Sequence, residues 1–376
     1  MTDSRTPPAG WFSAAMLGVA VALGLTALAL MATGAGPWVG AAAVAALATA
    51  AASGSRFRSL AFTVWVLAFG ASAWYYPGIY TWTWHGWAPK DAIMPLVQVI
   101  MFGMGVTLTF ADFGRVLKMP KAVLIGVVCQ YTIMPLFALT FATVFGLPAE
   151  VAAGLVLIGS CPGGVASNVI AYIARANVAL SVTMTACSTL LSPLATPRLM
   201  QLLAGQYVPI DVGDMTLAIL KMILLPVLLG LLVNRYAHRL VQKLGRLLPT
   251  VAMLSICVII AITIALARAD LAAVGLALFG AAACHNAAGY ALGYGAARSL
   301  GLDRRDSRTV ALEVGIQNGG MATGLALNVL KSPAAALGSA VFGPWSAVTS
   351  SVLASFWRRS GATVETSGPR AAQHGS

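Results

Sequence analysis

Ala311-Leu312-Glu313-Val314-Gly315-Ile316-Gln317-Asn318-Gly319-Gly320-Met321-Ala322-Thr323 sets one carboxylate, two amides and a glycine pair inside an otherwise apolar span. Of the eleven acidic residues, Glu313 alone lies in the middle of a stretch long and apolar enough to sit in lipid. A carboxylate at bilayer depth costs a few kcal/mol even on lenient insertion scales, so it is kept where it has a partner or a task. Asn318 and Gly319-Gly320 make a poor helix interior, since glycine costs about 1 kcal/mol relative to alanine and adopts positive φ freely. The stretch predicts a helix that breaks at the bilayer midplane, which is tolerated only where the freed backbone is buried in protein or lines a wet cavity. Glu313 and Gln317, four apart, would share one face of the half-helix before the break. The alternative is a kinked core helix holding a hydrogen-bonded glutamate.

Working outward, the 376 residues are 59% apolar and 9% charged, with a mean hydropathy of +0.84. A soluble domain carries about 25% charged residues, so the expected class is an all-α polytopic membrane protein. The formal charge of +12 would suit nucleic acid, but the basic residues stand singly or in pairs between apolar runs, and no nucleic-acid partner is expected. The five cysteines (129, 161, 187, 257 and 284) lie inside apolar segments with no paired spacing, which indicates neither a disulfide framework nor a zinc site. Residues 1 to 10 lack the signature of a cleaved signal or transit peptide.

Twelve apolar spans are expected, near 11–33, 37–53, 59–76, 92–110, 121–145, 151–175, 177–203, 215–233, 249–267, 271–296, 309–330 and 334–357. Alternating the loops between two sides puts eighteen of the 23 Lys and Arg on one side. Only Lys90, Arg198, Lys221, Arg268 and Lys331 fall on the other. The bias places both termini in the cytosol of a multi-pass protein of the cell (inner) membrane. The Trp- and Tyr-rich loop from Trp74 to Trp87 then faces outward as an interfacial belt.

A shift of 155 aligns Cys129-Gln130 with Cys284-His285 and Gly146-Leu147 with Gly301-Leu302. A shift of 156 aligns Gly163-Gly164-Val165-Ala166-Ser167 with Gly319-Gly320-Met321-Ala322-Thr323. Five spans separate equivalent points, so the second copy enters the membrane from the opposite face, the inverted repeat of secondary transporters. Repeat one is expected over about 57–203 and repeat two over about 213–357, preceded by a two-span extension (1–56) and followed by a disordered tail (358–376). Each half carries one glycine-pair break at the equivalent point.

In the first break, Ser160-Cys161-Pro162-Gly163-Gly164-Val165-Ala166-Ser167-Asn168, proline removes a donor and the glycines permit unwinding. Ser167 and Asn168 open the next half-helix, where their oxygens either cap it or ligate a cation. Ser181 and Thr185 share a face of the following span. Alone, such hydroxyls mostly bond back to their own helix. Together with one carboxylate they compose a hard-cation site for a monovalent ion, because calcium and magnesium recruit more negative charge. Gln130 and the pair His285-Asn286 read either as site members or as polar glue between helices.

At these residues the chain resembles the bile acid:sodium symporter family, including its bacterial members, over about residues 59 to 357. The blocks that carry it are Phe102-Gly103-Met104-Gly105-Val106-Thr107-Leu108, Ser160-Cys161-Pro162-Gly163-Gly164 through Ser167-Asn168, Ala179-Leu180-Ser181-Val182-Thr183-Met184-Thr185, and Glu313-Val314-Gly315-Ile316-Gln317-Asn318. The resemblance implies a ten-helix inverted repeat, with two crossed discontinuous helices in a core domain and a panel domain that moves against it. It also implies two sodium ions. One is held by Ser167, Asn168, Ser181, Thr185 and Glu313. The other is held by Gln130, Glu313, Gln317 and backbone carbonyls near Val314 and Ile316. Substrate is implied at Asn318 and the residues after each break, namely Gly319, Thr323 and Asn168. Gly319 and Val165 depart from a family pattern in which hydroxyl residues are frequent there.

The expected function is sodium-coupled symport of a small or amphipathic organic anion, a carboxylate, by a monomer or weak oligomer in the lipid bilayer. A sodium-independent facilitator or channel would need no ion site. A membrane enzyme would need paired catalytic groups at depth, and the chain offers one carboxylate without a partnered base.

Overall fold

The computed structural model describes residues 58–365, apart from 238–240 and 242–246. The two N-terminal spans and the end of the tail lie outside the described residues. Ten of the twelve spans are present as helices or half-helix pairs. They are α1 (Arg58–Tyr75), α2 (Ile93–Thr107), α3 (Pro120–Val144), the pair α4 (Ala149–Ser160) and α5 (Ala166–Ile173), α6 (Val178–Ala204), α7 (Val212–Tyr236), α8 (Leu248–Leu266), α9 (Arg268–Ser299), the pair α10 (Arg304–Gly315) and α11 (Gly319–Asn328), and α12 (Pro333–Glu365). The last helix, which contains Pro344, runs eight residues into the expected tail, and no proline lies between Pro344 and Pro369. Among the described residues, Pro89–Thr107, α3, α6, α7 and α9 are each long and apolar enough to cross a bilayer. Exposed Leu124, Val128, Leu136 and Val144 recur every fourth or eighth residue on α3, giving it an apolar stripe suited to lipid.

The two halves share details that extend the repeat beyond sequence matches. Gly146 (φ 60°) and Gly301 (φ 83°) each end a helix in the left-handed region. Leu147 N–H bonds Ala142 O as Leu302 N–H bonds Ala297 O, and Gly146 N–H bonds Thr143 O as Gly301 N–H bonds Arg298 O. This is the same two-bond C-cap at a shift of 155. Arg175 and Lys331, 156 apart, are the non-glycine left-handed residues that follow α5 and α11 (φ 54° and 55°).

Helix starts are tied across the halves in the same pattern. Asn177 caps α6 by accepting from Leu180 N–H and donates to Asp306 at the start of α10 (2.8 Å). Ser332 accepts from Ala335 N–H near the start of α12 and donates to Glu150 at the start of α4.

Two packing groups follow from where small residues sit. In the first, α2 crosses α7 with almost no separation. A Cβ on Gly105 would fall 2.1 Å from Val227 O, and one on Gly230 would fall 2.3 Å from Phe102 O. The helix α1 lies on α8 through Ala73, Ala261 and Ala265. In the second, α4 is buried on all sides, from Val151 through Ser160, by α3, α6 and α12. Helices buried all round read as continuous apolar runs. Here that run places the end of α4, and the break after it, at the centre of the molecule.

The Trp-rich connection between α1 and α2 turns tightly. Trp84 and Trp87 pair across His85 (φ 47°) and Gly86 (φ 80°), leaving Trp82, Trp84 and Trp87 exposed.

Candidate ion and substrate site at the helix crossing

The helix α4 stops at Ser160 because Cys161 turns extended (φ −77°, ψ 160°) and Pro162 has no N–H to continue the ladder. In the second half, Gly315 is the last helical residue and Ile316 is extended (φ −107°, ψ 112°). The two extended pieces cross antiparallel, with Gly163 opposite Gln317. Gly164 N–H donates to Ile316 O (2.7 Å) and Asn318 N–H to Pro162 O (3.1 Å). An antiparallel pairing of equivalent breaks is what inverted halves must make. It also satisfies backbone groups that would otherwise be orphaned inside the membrane.

Both glycines of the first break are required by proximity. A Cβ at Gly163 would meet Glu313 Oε2 at 2.8 Å, and one at Gly164 would meet Gln317 O at 2.6 Å. The second glycine pair behaves differently from the expectation. The break occupies Ile316, Gln317 and Asn318, while Gly319 and Gly320 form the first turn of α11. Asn318 explains the shift, since its side-chain Oδ1 accepts from Met321 N–H (3.0 Å) and starts the helix one residue before the glycines. Gln317 consequently lies in the extended segment and does not share a helical face with Glu313.

Glu313 is 2% exposed and receives hydroxyls from three elements. Ser167 on α5 donates to Oε1 (2.5 Å), Ser181 on α6 donates to the same oxygen, and Thr185 on α6 donates to Oε2 (2.9 Å). Asn168 Oδ1 joins the cluster 2.8 Å from Ser181 Oγ, as the alternative acceptor for the one proton of that hydroxyl. All five residues predicted for one cation are therefore brought together. They offer only oxygen donors with a single carboxylate, a set suited to a hard monovalent ion. Among the described residues no group of three His, Cys, Asp or Glu side chains could hold a transition metal.

A second polar group adjoins the first. Gln130 Nε2 donates to Cys161 O (2.8 Å) and to Gln317 Oε1 (2.8 Å), and Gln317 Nε2 donates to Val314 O (2.6 Å). The carbonyls of Val314 and Ile316 each retain a lone pair beyond the bond they accept. The two groups meet at a tight junction, with no room for a water molecule, lined by Gly126, Val127, Gln130, Gly163, Met184, Ser188 and Glu313.

Of the residues predicted to meet substrate, Asn318 and Gly319 lie together at the start of α11, and Asn168 lies on the ion-cluster side. Thr323 is turned into α12, where its hydroxyl meets Ser339 Oγ (2.6 Å) and bonds Gly319 O (2.9 Å). The pair His285-Asn286 resolves as support. His285 Nε2 pairs with Met134 O (2.9 Å), and Asn286 Nδ2 donates to Gly315 O (2.8 Å) while accepting from Thr349 (2.7 Å). Asn286 and Thr349 thus hold the last carbonyl of α10. The one signal for this was that Asn286 is the sole side-chain amide in α9.

The mirror-related position is apolar. A shift of 156 carries Glu313 onto Leu157, Ser181 onto Leu337, Thr185 onto Val341 and Asn168 onto Gly324. Leu157 and Leu337 are completely buried. Ser167 maps onto Thr323, so the repeat duplicated the crossing and one hydroxyl but kept the acid and the two α6 hydroxyls on one side of it.

Comparison with known proteins agrees with this architecture. The model of the sodium bile acid symporter family matches residues 94–287. The chain is 38% identical over 305 residues to the Bacillus subtilis protein named "Uncharacterized sodium-dependent transporter YocS", covering 81% of this chain and 93% of that one. It is also 38% identical over 305 residues to the rice chloroplastic protein named "Probable sodium/metabolite cotransporter BASS1", covering 80% of this chain and 73% of that one. The Arabidopsis thaliana protein of the same name is 37% identical over 302 residues, covering 80% and 74%.

Proposed function

The chain belongs to the sodium bile acid symporter family, and from that premise we propose that it is a sodium-coupled symporter that carries an organic carboxylate by alternating access. The observation that carries this reading is the convergence of Ser167, Ser181 and Thr185 on the buried carboxylate of Glu313 at an antiparallel crossing of two broken helices.

Two sodium ions are co-transported. One is held by Ser167, Asn168, Ser181, Thr185 and Glu313. The other is held by Gln130, Glu313, Gln317 and the carbonyls of Val314 and Ile316. Glu313 serves both, so two bound ions leave the site one positive charge in excess. The N-terminal ends of α5 and α11 add positive potential at the same point. An anionic substrate complements both, and its carboxylate meets Asn318 and Gly319, while Thr323 supports the start of α11 from the α12 side and Asn168 bounds the site on the Glu313 side.

Sodium links the elements because its ligands come from α3, α5, α6, α10 and the second break. Filling these positions holds the crossing in its substrate-binding arrangement. Movement of the group containing α4, α5, α10 and α11 against α1, α2, α7 and α8 then opens the site to the other side, where low cytosolic sodium favours discharge. The protein works as a monomer or weak oligomer in the cell (inner) membrane with both termini cytosolic.

The test is uptake of a panel of labelled carboxylates into proteoliposomes with and without an inward sodium gradient. At least one carboxylate is expected to accumulate only with the gradient. Equal uptake of every transported carboxylate in potassium would overturn the coupling.

A further inference from the structure

The amide of Asn318 is held as a donor with a poor partner. Its Oδ1 is committed to Met321 N–H (3.0 Å) and its backbone N–H to Pro162 O (3.1 Å), so the side-chain orientation is set. The remaining Nδ2 points at the Met101 thioether on α2, with Nδ2 to Sδ at 3.7 Å. A thioether is a weak acceptor, whereas both residues are nearly closed off from solvent, at 5% for Asn318 and 1% for Met101.

There is room beside this donor. At Gly319 an added Cβ would find only Ser339 O at 3.8 Å, and at Gly320 only Asn318 Oδ1 at 3.7 Å and Ile100 Cδ1 at 3.9 Å. Both positions have room for a side chain and carry none, in contrast to Gly163 and Gly164. Ser339 on α12 borders the space at Gly319 and Ile100 on α2 borders it at Gly320, on a helix whose Val97, Ile100, Met101 and Met104 are buried. That helix is fixed to α7 by the Gly105 and Gly230 crossing and so belongs to the other packing group.

We propose that Met101 is the specificity-determining residue of the substrate site: its thioether occupies the place of a substrate carboxylate oxygen on Asn318, and substrate displaces it. A charged oxygen makes a far stronger bond to an amide N–H than sulfur does, so exchange favours the carboxylate. Methionine has three rotatable bonds and adapts its packing, so the displaced side chain then lies against the carbon skeleton of the substrate. The site thereby selects carboxylates that carry an apolar body. This rests on the placement of substrate at Asn318, and it adds the residue that decides what fits there.

The experiment introduces Met101→Cys into a Cys284→Ser background and compares modification by anionic sulfonatoethyl and cationic trimethylammonioethyl methanethiosulfonates. Rates are normalised to those with free cysteine, and the parent background supplies the baseline. In sodium, position 101 is expected to favour the anionic reagent by about tenfold, and Asn318→Ala should remove the preference. No labelling above baseline, or preference for the cationic reagent, overturns the proposal. Sodium-dependent thermal stability is measured on the same samples. If stability still rises with sodium while the anion preference is absent, only the role of Met101 fails. If the parent shows no sodium effect, the sodium reading itself fails. Should Met101→Cys not fold, Gly319→Cys presents its thiol to the same space and is read by the same criteria.

Discussion

Alanine at Gly163 puts the ion site under a defined strain. The added Cβ would stand 2.8 Å from Glu313 Oε2 and 3.3 Å from Glu313 O, where ordinary contacts begin near 3.4 Å. The nearer oxygen must therefore retreat by about 0.6 Å, and it is the oxygen that Thr185 holds. Retreat in that direction presses on Thr185 and spoils the ligand geometry on both sides of the carboxylate. Overpacking of this kind costs about 1–3 kcal/mol. If it falls mainly on the ion-bound state, sodium affinity drops by about 5- to 150-fold. The assay is a sodium titration of the thermal midpoint of detergent-purified protein, in which bound ligand stabilises the folded state according to its concentration over Kd. Gly319→Ala, at the repeat-related position, meets nothing closer than 3.8 Å and should shift the sodium titration less than twofold. Equal titrations for Gly163→Ala and the parent would refute the placement of the carboxylate against the first break.

Three further outcomes follow from the same geometry. Glu313→Gln keeps the size of the side chain but removes the charge that Ser167, Ser181 and Thr185 surround, so sodium-stimulated uptake should fall at least about 100-fold, corresponding to loss of about 2.7 kcal/mol or more of ion binding. Gln130→Leu deprives Cys161 O and Gln317 Oε1 of their shared donor, at about 1–3 kcal/mol. It should flatten the sodium dependence of uptake from a Hill coefficient near ~2 to near ~1 by loss of one coupled ion. Gly105→Ala forces a Cβ to within 2.1 Å of Val227 O and should lower the thermal midpoint by an overpacking cost of about 1–3 kcal/mol. Gly103→Ala on the same helix meets nothing within 4 Å and should change stability by less than about 0.5 kcal/mol.

Much of this architecture was legible in the chain, because its causes are local or periodic. A lone acid in an apolar span, paired glycines in each half and a collinear shift of 155–156 residues lead to an inverted repeat with a break in each half. The structure adds matching left-handed caps at Gly146 and Gly301. The convergence of polar side chains on Glu313 was legible because hydroxyls at 181 and 185 share a helix face and Ser167-Asn168 open a half-helix. What could not be read depends on pairing across the chain. The second break falls on Ile316, Gln317 and Asn318 because Pro162 O and Gly164 N–H, more than 150 residues away in sequence, fix those residues. The flanking glycines then mark open space beside a helix start and do not mark the unwound segment. The support that Asn286 and Thr349 give to Gly315 O was likewise hidden, since either residue alone reads as ordinary helix-to-helix glue. Met101 carries no sequence signal at all, being one of fourteen methionines in an apolar protein.

The one-sided arrangement of the crossing also bears on coupling. Leu157, Leu337 and Val341 stand at the repeat-related positions of Glu313, Ser181 and Thr185, so that side of the crossing carries no carboxylate. In the proposed function, ion occupancy bears on the face of the crossing that holds Glu313.

Equilibrium binding of radioactive sodium to the purified protein, compared with Glu313→Gln, bears on all of this most directly. Saturable binding that potassium does not displace, and that disappears when the carboxylate is replaced, is the predicted result. Undiminished sodium binding by Glu313→Gln, or none by the parent protein, would contradict it.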